Sequence, residues 1–230
     1  MESVQIHNQT VYRDTVKTWR WYDAIGPSVT KWNEDCVVWS EAPYTVTDAT
    51  NGTAALVEGA LGGNLQMDPD ATTENHGIQI QLLGEAYYLN GDYPCYFGIR
   101  FKFEDADQMD VLAGLAITDT SLLAGVTDAI YFTTVDESDE LTFVVENTNS
   151  TTTLAAATLT DDTWITAEFY YDGITQVDVY INGVTIGSVA LTDANIPDDE
   201  YLTPSVAMLT GEGVANALTI DWMRAFQIHV

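Results

Sequence analysis

The chain predicts an all-β protein, an antiparallel two-sheet jelly-roll sandwich with an extended N-terminal arm. Apolar residues alternate with a period of two through most of its length, the signature of strands with one buried face. Turn residues interrupt the alternation every ~8–12 residues, as in sandwiches. Gly, Thr, Val, Tyr and Asp are abundant while Lys is nearly absent, a composition that disfavours long solvated helices. At 230 residues and 46% hydrophobic content, one full core can be buried.

Residues 1–40 hold four of the six tryptophans, and Val11 to Trp21 reads as a first strand broken by Gly26-Pro27. We assign 1–40 to an N-terminal arm and first strand and 41–230 to the jelly-roll domain. Residues 41–76 alternate short strands, such as Ala54 to Glu58 and Asn64 to Met67, with turns at Asn51-Gly52, Gly62-Gly63 and Asp68-Pro69-Asp70. Ile78, Ile80 and Leu82 share one face of the next strand, and Phe97, Ile99, Phe101 and Phe103 share a face of another. Val111 to Ile117 is continuously apolar and therefore reads as a strand covered on both sides. Asp128 to Thr133 and Leu141 to Glu146 form a hairpin over an acidic link at 136–140. The stretch from Thr163 to Val189 is a three-strand meander whose turns are Asp172-Gly173 and Asn182-Gly183, residue pairs that accept the positive φ of two-residue hairpins. Leu218, Ile220, Trp222, Arg224, Phe226 and Ile228 alternate along a last strand, making about a dozen strands and no convincing helix.

Seven Lys and Arg oppose 35 Asp and Glu, a formal net charge of −28, and such a field repels nucleic acid and anionic lipid. Neither class is expected as a partner. The imbalance is uneven: Arg13, Lys17, Arg20 and Lys31 face only Glu2, Asp14 and Asp23 in the first 31 residues, so that segment is +1 and the remainder −29. The N-terminus lacks a basic start with an apolar stretch, and no run approaches membrane-spanning length, so neither a signal peptide nor a span is expected. Cys36 and Cys95, flanked by apolar residues, read as two buried free thiols.

Catalytic and metal-binding patterns are sparse. His7, His76 and His229 are isolated and no Cys-x-x-Cys pair exists, which argues against zinc. Asp105, Asp107 and Asp110 offer oxygen ligands at short spacing without the Gly and distal Glu of an EF-hand loop, so we expect an acidic turn and neither metal nor cofactor. Gly-x-Ser-x-Gly and Gly-x-x-x-x-Gly-Lys motifs are missing. A saccharide platform would draw on Tyr87, Tyr88, Tyr170 and Tyr180, residues that on strands more often pack across the sheet.

The series Trp164…Phe169-Tyr170-Tyr171-Asp172-Gly173…Val177-Asp178-Val179-Tyr180-Ile181-Asn182-Gly183 resembles the hairpin of concanavalin A-like lectin and glucanase jelly rolls. Function varies widely on that fold. A glucanase would carry a pattern similar to Glu-x-Asp-x-x-Glu; Glu137 and Asp139 come nearest, but Thr142 stands where the last acid belongs, so these read as a solvated hairpin tip. Gly62-Gly63-Asn64-Leu65, Gly77-Ile78-Gln79-Ile80, Gly114 to Ser121, Ile130-Tyr131-Phe132, Asn195 to Pro204 and Leu218 to Trp222, in that order, look like structural proteins of tailed bacteriophages, among them head decoration or cement proteins. That resemblance implies a non-enzymatic protein of the virion, made in the host cytoplasm and bound outside the major capsid protein shell as a homo-oligomer. The first 40 residues lie outside it. Their aromatic and cationic content nominates Arg13, Lys17, Trp19, Arg20, Trp21 and Trp32 as capsid or subunit contacts. The alternative is a carbohydrate-binding lectin-like module or adhesin.

Overall fold

The computed structural model describes residues 1–48, 52–69, 73–135 and 137–229. The turn expected at Asn51 and the acids Asp70 and Asp136 lie outside the described residues. In chain order the strands are β1 (Glu2–Ile6), β2 (Gln9–Arg13), β3 (Trp21–Ile25), β4 (Val29–Glu34), β5 (Tyr44–Asp48), β6 (Gly52–Leu56), β7 (Leu65–Pro69), β8 (Gly77–Leu82), β9 (Tyr87–Tyr88), β10 (Cys95–Phe103) and β11 (Met109–Ala116). One helical turn, α1 (Leu122–Gly125), precedes β12 (Ala129–Thr134), β13 (Glu140–Asn147), β14 (Ser150–Thr158), β15 (Ile165–Tyr171), β16 (Gln176–Ile181), β17 (Val184–Ala190), β18 (Tyr201–Thr210) and β19 (Leu218–Ile228).

Two eight-stranded antiparallel sheets stack face to face. Sheet I runs β17-β16-β15-β10-β19-β7-β6, with β4 also paired to β19, and sheet II runs β14-β13-β12-β11-β18-β8-β5, with β9 also paired to β18. The expected sandwich is therefore observed. Its centre is aromatic: Phe97 stacks on Phe169 within sheet I at 5.3 Å between centroids, and Phe169 reaches across to Phe143 at 5.7 Å and Phe132 at 6.4 Å in sheet II. All four rings are fully buried.

Several local expectations need correction. Asn182-Gly183 does make the two-residue turn, with φ of 49° and 74° between paired Ile181 and Val184. Asp172-Gly173 does not. Its turn runs over residues 172–175, because the Asp172 carboxylate accepts the N–H groups of Ile174, Thr175 and Gln176 and holds a wider loop. The last strand does not keep one face throughout. Arg100 pairs with Trp222 but Phe101 pairs with Ile220, so Asp221 is an extra residue in a β-bulge. Past the bulge Met223 and Ala225 take the core side, and Trp222, Arg224 and Phe226 turn outward, because side-chain direction has period two.

The N-terminal segment forms a third, three-stranded sheet, β1-β2-β3. The single strand expected from Val11 to Trp21 is split, since Asp14 accepts the N–H groups of Val16 and Lys17 and turns the chain between β2 and β3. The same carboxylate accepts from the Tyr22 hydroxyl, and these donors hold it well below the usual carboxylate range, the backbone N–H groups leading. Val11, Trp21 and Ala24 pack against Tyr96, Phe226 and Ile228 on the outer side of sheet I. Arg20 grips Glu168 with two nitrogens, and Tyr96 donates to the same carboxylate at 2.8 Å. Glu168 is wholly buried. Its three donors answer the desolvation that a lone carboxylate would suffer there.

Cys36 and Cys95 are buried and unbridged, as expected, and burial pushes the Cys36 thiol up to about 12. Replacing Arg20 by Met leaves Glu168 short of its main partner, and we expect a loss of about 3–5 kcal/mol in urea unfolding. The double variant Arg20→Met/Glu168→Leu should lose less than Arg20→Met alone, because no unpaired charge is left behind.

Candidate functional site

Core-side residues of sheet II are Met109, Val111, Ala113 and Leu115 on β11, Ile130 and Phe132 on β12, and Ile78 and Ile80 on β8. By alternation the outer face carries Gln79, Gln81, Leu112, Ala116, Tyr131, Val144, Glu146 and Ala207. A strap of residues 117–128, containing α1, crosses this face. Leu122 and Val126 seat on Leu112, Ala116, Ala129, Tyr131, Val144 and Ala207 to form a second apolar cluster. That cover explains why β11 is apolar on both sides from Val111 to Ala116.

Two buried glutamines hold the strap down. The Gln79 side chain donates to Asp119 O at 2.6 Å and accepts from Leu122 N at 3.0 Å. Gln81 donates to Ile117 O and accepts from Asp119 N, both at 3.0 Å, and donates to Ser205 Oγ at 2.9 Å. Each primary amide thus presents a donor and an acceptor to the strap backbone, much as a neighbouring strand would. The reason lies in the sequence: Gln79 and Gln81 are two residues apart on β8, so both leave the same face of the sheet.

The strap divides the face into two recesses, both walled by Leu122, Leu123 and Ala124. One, of about 430 Å³, is bordered by Thr47, Asn75, Gln79, Thr120 and Leu209. The other, of about 320 Å³, is bordered by Tyr131, Thr133, Glu146, Asn149 and Thr151. At its floor the Tyr131 hydroxyl donates to Glu146 Oε2 at 2.8 Å, with both side chains buried. Burial pushes the Glu146 carboxyl above its ordinary value against the Tyr131 hydrogen bond, and the charge of Asp128 adds to the rise. Asp128 itself accepts from Thr148 N and the Thr127 hydroxyl. The second recess thus offers a carboxylate, hydroxyls and an amide beside an aliphatic wall, which suits a small polyhydroxylated ligand.

The residues nominated from the sequence lie elsewhere. Arg13 pairs with Glu2 at 2.9 Å. The Lys17 ammonium lies over the Gly183 turn. Trp19 stacks on Tyr180 with centroids 3.4 Å apart, and the Arg20 guanidinium lies over the Trp19 ring at 5.2 Å. Trp21 is buried against Tyr170, and Trp32 sits in the core with Nε1 donating to the Tyr44 hydroxyl at 3.1 Å. In this structure Lys17, Trp19, Arg20, Trp21 and Trp32 fasten the N-terminal residues to their own sandwich, while Arg13 pairs within the N-terminal sheet. Of the platform tyrosines, Tyr87 is buried, Tyr170 and Tyr180 lie under Trp21 and Trp19, and Tyr88 stacks on exposed Tyr201 at 4.7 Å. Asp105 is raised to about 6, by burial first and then by the hydrogen bond and charge of Asp107. Among the described residues no group of three His, Cys, Asp or Glu could hold a metal ion, and no helix is long and apolar enough to cross a membrane. Sequence reasoning missed Gln79, Gln81, Tyr131 and Glu146. The available signal was the pair of amides on β8 opposite Ile78 and Ile80, together with the apolar run from Val111 to Ile117.

No protein-family description matches the chain, and no curated protein does either. Solved structures do resemble it. An endo-1,3-beta-glucanase from Streptomyces sioyaensis is 10% identical, covers 90% of this chain and 99% of its own, and superposes with a TM-score of 0.61. Peanut lectin is 14% identical over 88% of this chain and 98% of its own, with a TM-score of 0.56. A carbohydrate esterase from Shiga toxin-encoding bacteriophage phi24B is 19% identical over 88% of this chain and all of its own, with a TM-score of 0.55. The fold is a concanavalin A-like jelly roll. The expectation of a non-enzymatic protein is overturned by these likenesses, since a glucanase and an esterase share the architecture.

Replacing Gln79 by Leu removes both amide contacts and strands Leu122 N–H and Asp119 C=O. We expect a loss of about 1–3 kcal/mol, with hydrogen exchange quickened over residues 117–125. Glu146→Gln should have a distinct pH signature. A carboxyl raised by folding binds its proton more tightly in the folded chain, so wild-type stability falls as pH rises through the Glu146 window, from the ordinary carboxylate value up to the raised one. The Gln variant lacks that fall, and thermal midpoints measured across acid and neutral pH should converge only at the acid end.

Proposed function

We propose that the protein binds carbohydrate in the strap-divided groove on the outer face of sheet II. The observation that carries this reading is the Tyr131–Glu146 pair, a buried acceptor and hydroxyl at the floor of a recess of about 320 Å³ with an aliphatic wall. A sugar ring needs both components, hydrogen-bond partners for its hydroxyls and an apolar surface for its C–H face. Likeness to peanut lectin, to a glucanase and to a carbohydrate esterase supports it through the fold.

A second reading, hydrolysis of a bond within the bound saccharide, rests on Glu146. A buried carboxyl with a raised pKa is suited to general acid work. Product release by the wild type and its loss in Glu146→Gln would separate turnover from binding.

The capsid-decoration role is not part of this proposal. It rests on the order of sequence segments alone, and the one bacteriophage protein among the similar structures described above is named as a carbohydrate esterase.

The test is a glycan array followed by calorimetry on the best saccharide. Tyr131→Phe and Glu146→Gln should each weaken binding by about tenfold, the value of one hydrogen bond to a partly charged group. Unchanged affinity in both variants would move the site away from this groove.

A further inference from the structure

All seven Lys and Arg lie among the described residues, and their distribution over the fold is one-sided. Arg100 and Lys102 belong to β10, Arg224 to β19 and Lys31 to β4, all strands of sheet I. Arg13 lies on β2, and Lys17 and Arg20 follow it in the turn to β3, within the sheet that covers the outer side of sheet I. Six of the seven are already paired with Glu2, Glu168, Asp23, Asp221, Asp162 and Asp35. Neither sheet II nor the strap contributes a cation.

The groove side is correspondingly acidic. Glu146 forms its floor, Asp119 and Asp128 belong to the strap, and Asp110 leaves β11 on the outer face beside Leu209 of the larger recess. Stacked sheets stand ~10 Å apart, so the cations of sheet I and its cover lie beyond about one Debye length at physiological salt. An anionic group entering the groove would meet negative charge with no guanidinium or ammonium to pair with it. Carboxylates and sulfates are recognised above all by such bidentate or point-charge partners.

Resting on the groove reading above, we infer that this site selects uncharged saccharides and rejects uronate-bearing, sialylated and sulfated ones. Hydroxyls of a neutral sugar donate to Glu146 and to the Tyr131 oxygen, and accept from Thr133 and the Asn149 amide. Selection thus comes from the field of the face as well as from contact.

The experiment uses the full chain on an array of saccharide pairs that differ only in charge: sialylated and desialylated glycans, and free and methyl-esterified oligogalacturonides. Affinity is then measured by calorimetry at about 0.15 M and about 1 M salt, where the Debye length falls from ~8 to ~3 Å. We expect the uncharged member to bind at least about tenfold more tightly at low salt, with the gap narrowing at high salt. A charged member that binds equally well or better overturns the charge selection and leaves the groove reading standing. No binding by any saccharide overturns the groove reading and the selection with it.

Discussion

Glu168 and Phe169 are consecutive on β15, and the layers of the molecule close on the opposite directions of their side chains. Phe169 turns inward and meets Phe132 and Phe143, so the two large sheets share an aromatic contact at their centre. Glu168 turns outward into a fully buried position, where Arg20 and Tyr96 satisfy it and the N-terminal sheet is drawn down. A strand can do both because its period is two. The charge is costly to bury, and the pairing offsets that cost without making the site a large net source of stability. What it supplies is position: of the outward-facing groups of sheet I, this carboxylate takes the bidentate grip of a cation from the N-terminal sheet.

The opposite outer face is closed by different chemistry. Among the described residues no ion pair binds the strap; two primary amides on β8 do, each bonding backbone as backbone would. Leu122 then fills the apolar floor that an uncovered sheet would expose. The cover leaves recesses on either side of it, and one of these retains a buried Tyr–Glu pair. A face that would otherwise be a continuous cleft becomes a pair of short compartments sharing one wall.

The sandwich was legible in the sequence because alternation is a local property. Phe97, Ile99, Phe101 and Phe103 face the core as their spacing requires, and the Asn182-Gly183 turn forms as its residue types demand. The last strand departs from its alternation at one place, since a bulge at Asp221 leaves no compositional trace and reverses every side chain after it. The N-terminal tryptophans and arginines have the composition of a sticky surface. Trp21 and Arg20 are sticky, but their partners, Tyr170 and Glu168, lie some 148 residues along the chain from Arg20, beyond the reach of any local pattern. The groove was hidden for the same reason. Tyr131 and Glu146 sit on neighbouring strands, and nothing in either segment announces the other. Gln79 and Gln81 were visible as an outward polar face, yet their bonds go to a segment about forty residues away.

The scarcity of lysine has a practical side. Lys17, Lys31 and Lys102 are the only lysines in the sequence, and all three belong to sheet I or to the sheet that covers it. Reagents that couple lysine side chains to a bead, a chip or a dye would therefore grasp the molecule by one side. Every immobilised copy would present its strap and recesses to the solution in the same orientation.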